Sequence, residues 1–316
     1  MLRGYIATTD FEWYSYLRAR RDLDEVNFWQ PSGSRQFRAI QAGEPFFFKL
    51  KSPQNRIAGF GVYLRSEILP DWLAWECFGQ RNGTATEPEF RSRLAAYRRK
   101  NGVVGSGAEN VTCLILSTPV FFTPDDWVAE PSDWKKNIVS GKGFDLSEGE
   151  GRRVFEECQA RARAMVEHGG EIASSRETIR TVLTRYGEGV VVKPRLGQGS
   201  FRLAVEDAYG KACAVTREHS RPVLEAAHIR PYGLGGEHAV SNGILLRRDL
   251  HRLFDCGYVT VERDHSLRVS ERLKREYNNG KVYYALQGTA LSQPTRIEDR
   301  PDASLLEWHR EVVFKD

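Results

Sequence analysis

Three residues in the last third of the chain carry the strongest chemical signal. His228, Asn242 and His251 are separated by 14 and then 9 positions, and Gly235 and Gly236 fall between the first two. A neutral imidazole, an amide and a second imidazole in this order suit cleavage of a phosphodiester. That reaction needs a base, because water is a poor nucleophile at neutral pH, and a cation to offset charge on the phosphate and the leaving oxygen. An imidazole titrates near working pH, so neutral His228 can take the proton from water. Asn242 can bridge backbone groups and fix the loop that orients the base. His251 is then free to hold a metal ion.

These residues need elements to position them. The apolar run at 222–227 predicts a short strand that ends at His228. Gly233, Gly235 and Gly236 permit an irregular loop after it. Residues 249–256 predict a short helix, with Asp249 as its N-cap and Gly257 as its stop. His251 and Asp255 are four apart on that helix and share a face, so the pair can grip a divalent cation. Glu225 precedes His228 by three and, with regular alternation, lies on the opposite strand face. It is expected to support the site before it ligates.

At these positions the chain resembles the HNH nuclease family, whose core is a β-hairpin and a helix around a metal. The resemblance implies His228 as the general base, Asn242 as the orienting amide and His251 as a metal ligand. Ala227 departs from the pattern, because many members carry Asp or His there as a second ligand. Asp255 or water must complete the shell, or the metal is held weakly. One divalent ion per site is expected, Mg²⁺ or Mn²⁺, and no structural zinc, since paired CxxC motifs are absent.

Composition bounds the rest. The 316 residues suit two domains better than one, and no apolar run approaches the length of a membrane helix. The N-terminus runs directly into Tyr5-Ile6-Ala7, without the pattern of a signal peptide. The five cysteines are scattered and odd in number, which points to a reducing cytoplasm and away from a disulfide framework. Net charge is only +4, yet residues 180–255 hold twelve Lys/Arg against eight Asp/Glu, a surplus equal to that of the whole chain. Arg195, Arg230, Arg248 and Arg252 are the candidate phosphate contacts.

Residues 1–145 alternate strand-like runs, at 45–50, 57–63 and 111–116, with turns and one helix near 87–100. A charged helical stretch at 147–167, a Gly/Ser-rich hinge at 168–176 and a helix at 176–186 follow. The expected division is a reading domain at 1–145, a helical connector at 146–180 and a nuclease domain at 181–316. Aromatic residues gather at 27–33 and 71–83. Trp29 beside Gln30, Pro31 and Ser32 sets a flat ring among adaptable hydrogen-bonding groups, which is what a pocket for an extruded base requires. Trp75 and Asn82 are assigned to the same pocket.

The segments at 5–8, 28–33, 58–61 and 137–142 together resemble a PUA-like domain of the EVE type, a small curved β-barrel with flanking helices. An α+β protein follows, with an EVE/PUA-like barrel, a helical connector and a C-terminal ββα-metal domain. Taken whole, the chain resembles bacterial modification-dependent restriction endonucleases. That resemblance implies cleavage of double-stranded DNA bearing 5-methylcytosine or 5-hydroxymethylcytosine, with a homodimer as one route to cutting both strands. The alternatives are an HNH nuclease indifferent to modification and a decayed protein that only binds nucleic acid.

Overall fold

The computed structural model describes residues 2–21, 23–100, 102, 109–168, 176–188 and 195–316. The chain divides into two compact units, Met1–Gly197 and Gln198–Asp316. The fold is α+β, as the sequence predicts, with a β-sheet domain and helices ahead of a ββα unit.

The first unit contains strands β1 (Arg3–Thr9), β2 (Glu25–Gln30), β3 (Pro45–Leu50), β4 (Arg56–Pro70), β5 (Asn110–Phe121), β6 (Val128–Ala129) and β7 (Gly141–Asp145). Helices α1 (Phe11–Arg18), α2 (Asp71–Phe78), α3 (Glu87–Lys100), α4 (Gly149–Glu167) and α5 (Arg176–Gly187) accompany them. Strands run in the order β2-β5-β4-β3-β1-β7, with β6 against β4. The β1–β3 pair is parallel and the others are antiparallel.

β3 shows why this sheet is covered on both faces. Every residue of Pro-Phe-Phe-Phe-Lys-Leu is buried, the mark of a strand packed above and below. Side chains alternate along a strand, so Phe46 and Phe48 join one core with Trp13, Tyr14 and Leu17 of α1. Phe47 points into the other core, with Phe155 of α4 and Ile179, Leu183 and Tyr186 of α5. Each buried Phe or Leu contributes about 1.5–3 kcal/mol.

This second core moves the expected boundary. Residues 146–180 are not a connector, because α4 and α5 supply one wall of the first unit, and Tyr186 Oη donates to the carbonyl of Gly43 at 2.8 Å. The division falls after Gly197, not at 181. Most of the expected hinge at 168–176 lies outside the described residues.

The second unit begins with α6 (Gln198–Ala208) and continues with the hairpin β8 (Leu224–His228) and β9 (Gly243–Arg247) and helix α7 (Arg248–Asp255). A second hairpin, β10 (Val259–Val261) and β11 (Leu267–Val269), precedes α8 (Arg272–Tyr277), α9 (Lys281–Tyr284) and α10 (Ala303–Trp308). Leu250 and Phe254 of α7 are buried; at i, i+4 spacing they anchor one face. That leaves His251 and Asp255, one position on, at the rim. No helix among the described residues is long and apolar enough to cross a membrane.

Candidate active site

The hairpin β8–β9 and helix α7 bring the predicted residues together. His228 ends β8 and pairs in register with Gly243, immediately after Asn242. The loop between them turns back on itself through the glycine pair. Gly235 takes φ +84°, a left-handed conformation, and a Cβ on Gly236 would lie 1.9 Å from the Arg230 carbonyl oxygen. Asn242, 1% exposed, locks the loop. Its Oδ1 accepts from the Arg230 N–H, and its Nδ2 donates to the carbonyls of Arg230 and Glu237, each at 2.9 Å.

The His228 ring lies face to face with Phe201 of α6, with centroids 4.0 Å apart and planes 16° apart. Its Nε2 is 3.0 Å from Nδ1 of His238. Burial, then the charges of His238 and His251, push the His228 pKa down to about 4. The ring is therefore neutral at physiological pH, which a general base requires.

His251 sits between two carboxylates. Its Nδ1–H donates to Glu225 Oε2 at 2.8 Å, and its Nε2 is 3.3 Å from Asp255 Oδ2. Arg248 Nε donates to the other oxygen of Glu225 at 2.6 Å. Burial alone would lower the pKa of His251, but Asp255 and then Glu225 outweigh it and raise it. Burial also works to raise the Glu225 carboxyl, yet His251 and Arg248 hold it low.

The donor set at this end fits a divalent ion. Two ligands sharing one ion at 2.0–2.2 Å stand about 3 Å apart, close to the observed 3.3 Å from His251 Nε2 to Asp255 Oδ2. A carboxylate on the far nitrogen of a ligating imidazole fixes its tautomer and raises its basicity, and Glu225 occupies that position. Among the described residues no three His, Cys, Asp or Glu side chains form a ready-made metal cage. Two protein donors suit an ion that keeps most of its shell as water and phosphate, as Mg²⁺ does.

Other expectations shift. Asp249 does not cap α7: it lies in the first turn, and Arg247 grips both its oxygens at 2.9 and 2.5 Å. Arg230 is engaged by the loop, with its Nε donating to Leu234 O at 2.7 Å and its guanidinium 5.4 Å from the Trp308 ring. Arg252 is exposed on α7 with no ion pair among the described residues. Arg195 is exposed in the first unit, outside the body that carries the motif. His238 and Phe201 were not singled out from the sequence. His238 had a signal, ten positions after His228 and directly behind the glycine pair, whereas Phe201 had none beyond its place in an amphipathic helix.

The first unit contains a cavity of about 800 Å³, whose wall includes Trp29, Gln30 and Ser32. This volume lies within the range of small-molecule pockets. Trp29 belongs to β2, opposite Cys113 of β5, and not to a turn. Its Nε1–H donates to Asn82 O at 2.9 Å, and its ring packs edge-on against Phe90 and Tyr97. Trp75 and Asn82 do not line this cavity. Trp75 faces Phe90 from α2, and Asn82, fully buried, accepts from Asn27 Nδ2 and donates to Ala74 O and Gly79 O. Both brace the wall from behind. The sequence reading also missed the polar groups of the wall: Asp10 bonds to Lys51 Nζ and to the Tyr97 hydroxyl, and Lys51 Nζ lies 3.2 Å from that hydroxyl.

Residues 213–262, from the approach to β8 through β10, match the family model described as HNH endonuclease. No curated protein matches the chain. Among solved structures, ASCH from Zymomonas mobilis is 11% identical and covers 48% of this chain and 94% of its own, at a TM-score of 0.32. The modification-dependent TagI restriction endonuclease is 14% identical over 97% of this chain and 80% of its own, at a TM-score of 0.30. The second unit thus contains an HNH endonuclease domain, built on β8, β9 and α7.

Proposed function

We propose that the protein is a modification-dependent DNA endonuclease. The observation that carries the nuclease reading is the pairing of a neutral, half-buried His228 with His251 and Asp255 on one ββα frame. His228 takes a proton from water, and the hydroxide attacks phosphorus. Asn242 holds the loop that follows the base. A divalent ion on His251 and Asp255, Mg²⁺ or Mn²⁺, would supply charge neutralisation at the phosphate and the leaving oxygen. Arg252 and Arg248, both on α7, would contact phosphates. With one such site per chain, cutting both strands takes a homodimer or two independent nicks.

The cavity of the first unit supports a base-reading role. An extruded, modified cytosine stacks against Trp29, while Gln30, Ser32 and the Asp10 carboxylate supply hydrogen bonds to its edge. A methyl group is worth about 1–3 kcal/mol in an apolar pocket, so preference over plain cytosine is partial.

The test is a cleavage assay with Mg²⁺ or Mn²⁺ on matched duplexes containing cytosine, 5-methylcytosine or 5-hydroxymethylcytosine. The expected result is cutting that favours modified DNA and disappears in His228→Ala, with DNA binding retained. Equal cutting of all three keeps the nuclease and removes the modification reader. No cutting with either ion favours a protein that only binds nucleic acid.

A further inference from the structure

His238 lies outside the His-Asn-His set, yet it makes the closest polar contact to the base. Two imidazole nitrogens 3.0 Å apart, Nε2 of His228 and Nδ1 of His238, share one proton between them. Both rings are held in plane. His228 is stacked on the buried Phe201 at 4.0 Å, and His238 is stacked on Tyr232 at 4.7 Å with planes 2° apart. The direction of the shared bond decides what His228 can do. If His238 donates, the lone pair of His228 Nε2 is occupied and its ring proton sits on Nδ1, leaving no basic nitrogen. If His228 donates, Nδ1 keeps its lone pair, and that atom has no protein hydrogen-bond partner among the described residues.

We infer that His238 is a positioning residue that accepts the Nε2–H of His228 and thereby leaves Nδ1 as the basic nitrogen facing the attacking water. The inference rests on the nuclease reading above, with His228 as base. When Nδ1 takes the proton, the O–H bond of water breaks, an N–H bond forms, and the resulting imidazolium keeps its Nε2–H on His238. The ring therefore does not reorient during the step. The arrangement parallels the partner that fixes the tautomer of a metal-bound imidazole, with an imidazole in place of a carboxylate.

Two measurements on the full chain test this. Imidazole nitrogen NMR of the metal-free protein at neutral pH, with the His228 signals assigned by their loss in His228→Ala, is expected to show a protonated Nε2 and an unprotonated Nδ1. In His238→Ala the two tautomers should mix. A wild-type His228 protonated on Nδ1 overturns the proposal. In single-turnover cleavage, His238→Ala is expected to slow the reaction by about ten- to hundredfold. His238→Asn, whose Oδ1 stands where Nδ1 stood, should recover most of the rate, and His238→Gln, which places its amide farther out, should not. Wild-type rates in His238→Ala, or equal loss in Asn and Gln, refute the assignment while leaving the nuclease intact. Wild-type cutting by His228→Ala removes the base reading itself, and the role of His238 with it.

Discussion

His309 predicts an acid-sensitive anchor for α7, the helix that carries His251 and Asp255. The residue is 2% exposed and lies 3.6 Å from the Phe254 ring of α7, with planes 9° apart. Its Nε2 is 3.1 Å from Phe254 O, and a carbonyl only accepts, so the proton is on Nε2. Its Nδ1 then accepts from the Thr260 hydroxyl at 2.9 Å. Protonation at Nδ1 would break that bond inside the core. Burial accordingly pushes the pKa from 6.5 down to about 4, against the opposing pull of the Phe254 carbonyl and Asp255. Because the folded value is depressed, the unfolded chain takes up the proton first. The stabilisation is complete above pH 6.5 and is lost as pH falls from 6.5 towards 4. At about 1.4 kcal/mol per pH unit, the full loss is about 3 kcal/mol, of which about 2 kcal/mol is gone by pH 5. His309→Gln keeps a donor for the carbonyl but does not titrate. At pH 8 the variant should be less stable by about 1–2 kcal/mol, through the lost ring contact and Thr260 bond. At pH 5 the gap should close or reverse. Trp308 is the only tryptophan of the second unit, so urea unfolding followed by fluorine NMR of fluorotryptophan at 308 reads this unit alone. His228 titrates in the same window but enters both proteins equally. A wild-type-to-variant gap that is the same at pH 8 and pH 5 refutes the reasoning.

Three further outcomes follow from the geometry. Glu225→Gln removes the charge that His251 and Arg248 share, and Mn²⁺ affinity by calorimetry should fall about ten- to hundredfold with the fold unchanged in circular dichroism; unchanged affinity would place the ion elsewhere. Asn242→Asp keeps the size of the side chain but cannot donate to the Arg230 and Glu237 carbonyls, and leaving buried acceptors unmet costs about 1–3 kcal/mol each. Its melting temperature and cleavage rate should drop together, and a stable, inactive variant would instead give Asn242 a direct part in the chemistry. Trp29→Phe keeps a ring against the cavity and should retain preference for modified DNA, whereas Trp29→Ala should lose it; equal preference in both moves the pocket away from Trp29.

The ββα frame was legible because its residues are constrained by type as well as by spacing. A buried Leu250–Phe254 pair, the 235–236 glycines and the His-Asn-His order each leave a distinct mark on a short stretch of chain. β3 and α3 were legible for a related reason: a run of Phe between turn residues, and apolar positions at helical spacing, are local signals. What escaped depended on partners distant in sequence. The apolar stripes of α4 and α5 are visible at 149–167 and 176–187, but nothing in those stretches says that they cover Phe47 and Phe60. They therefore read as a connector. Trp75 and Asn82 carry the residue types of a pocket, and only the path of α2 and the turn after it sends them behind the wall. His238 escaped because a single imidazole has no pattern until its neighbour is known.

The position of α4 and α5 sets the piece of this chain that can be moved. A fragment cut after 145 would lose Phe155, Ile179, Leu183 and Tyr186 from the core they share with Phe47, and would expose an apolar sheet face prone to aggregation. The portable piece is residues 1–197, and exchange between relatives of this architecture should succeed at that seam. Recombination at the end of the last strand would yield chimaeras that fail before either specificity or cutting could be assayed. The second unit, with its own hairpins and its own buried Phe201 and Phe254, can then be joined to other N-terminal domains as one intact cassette.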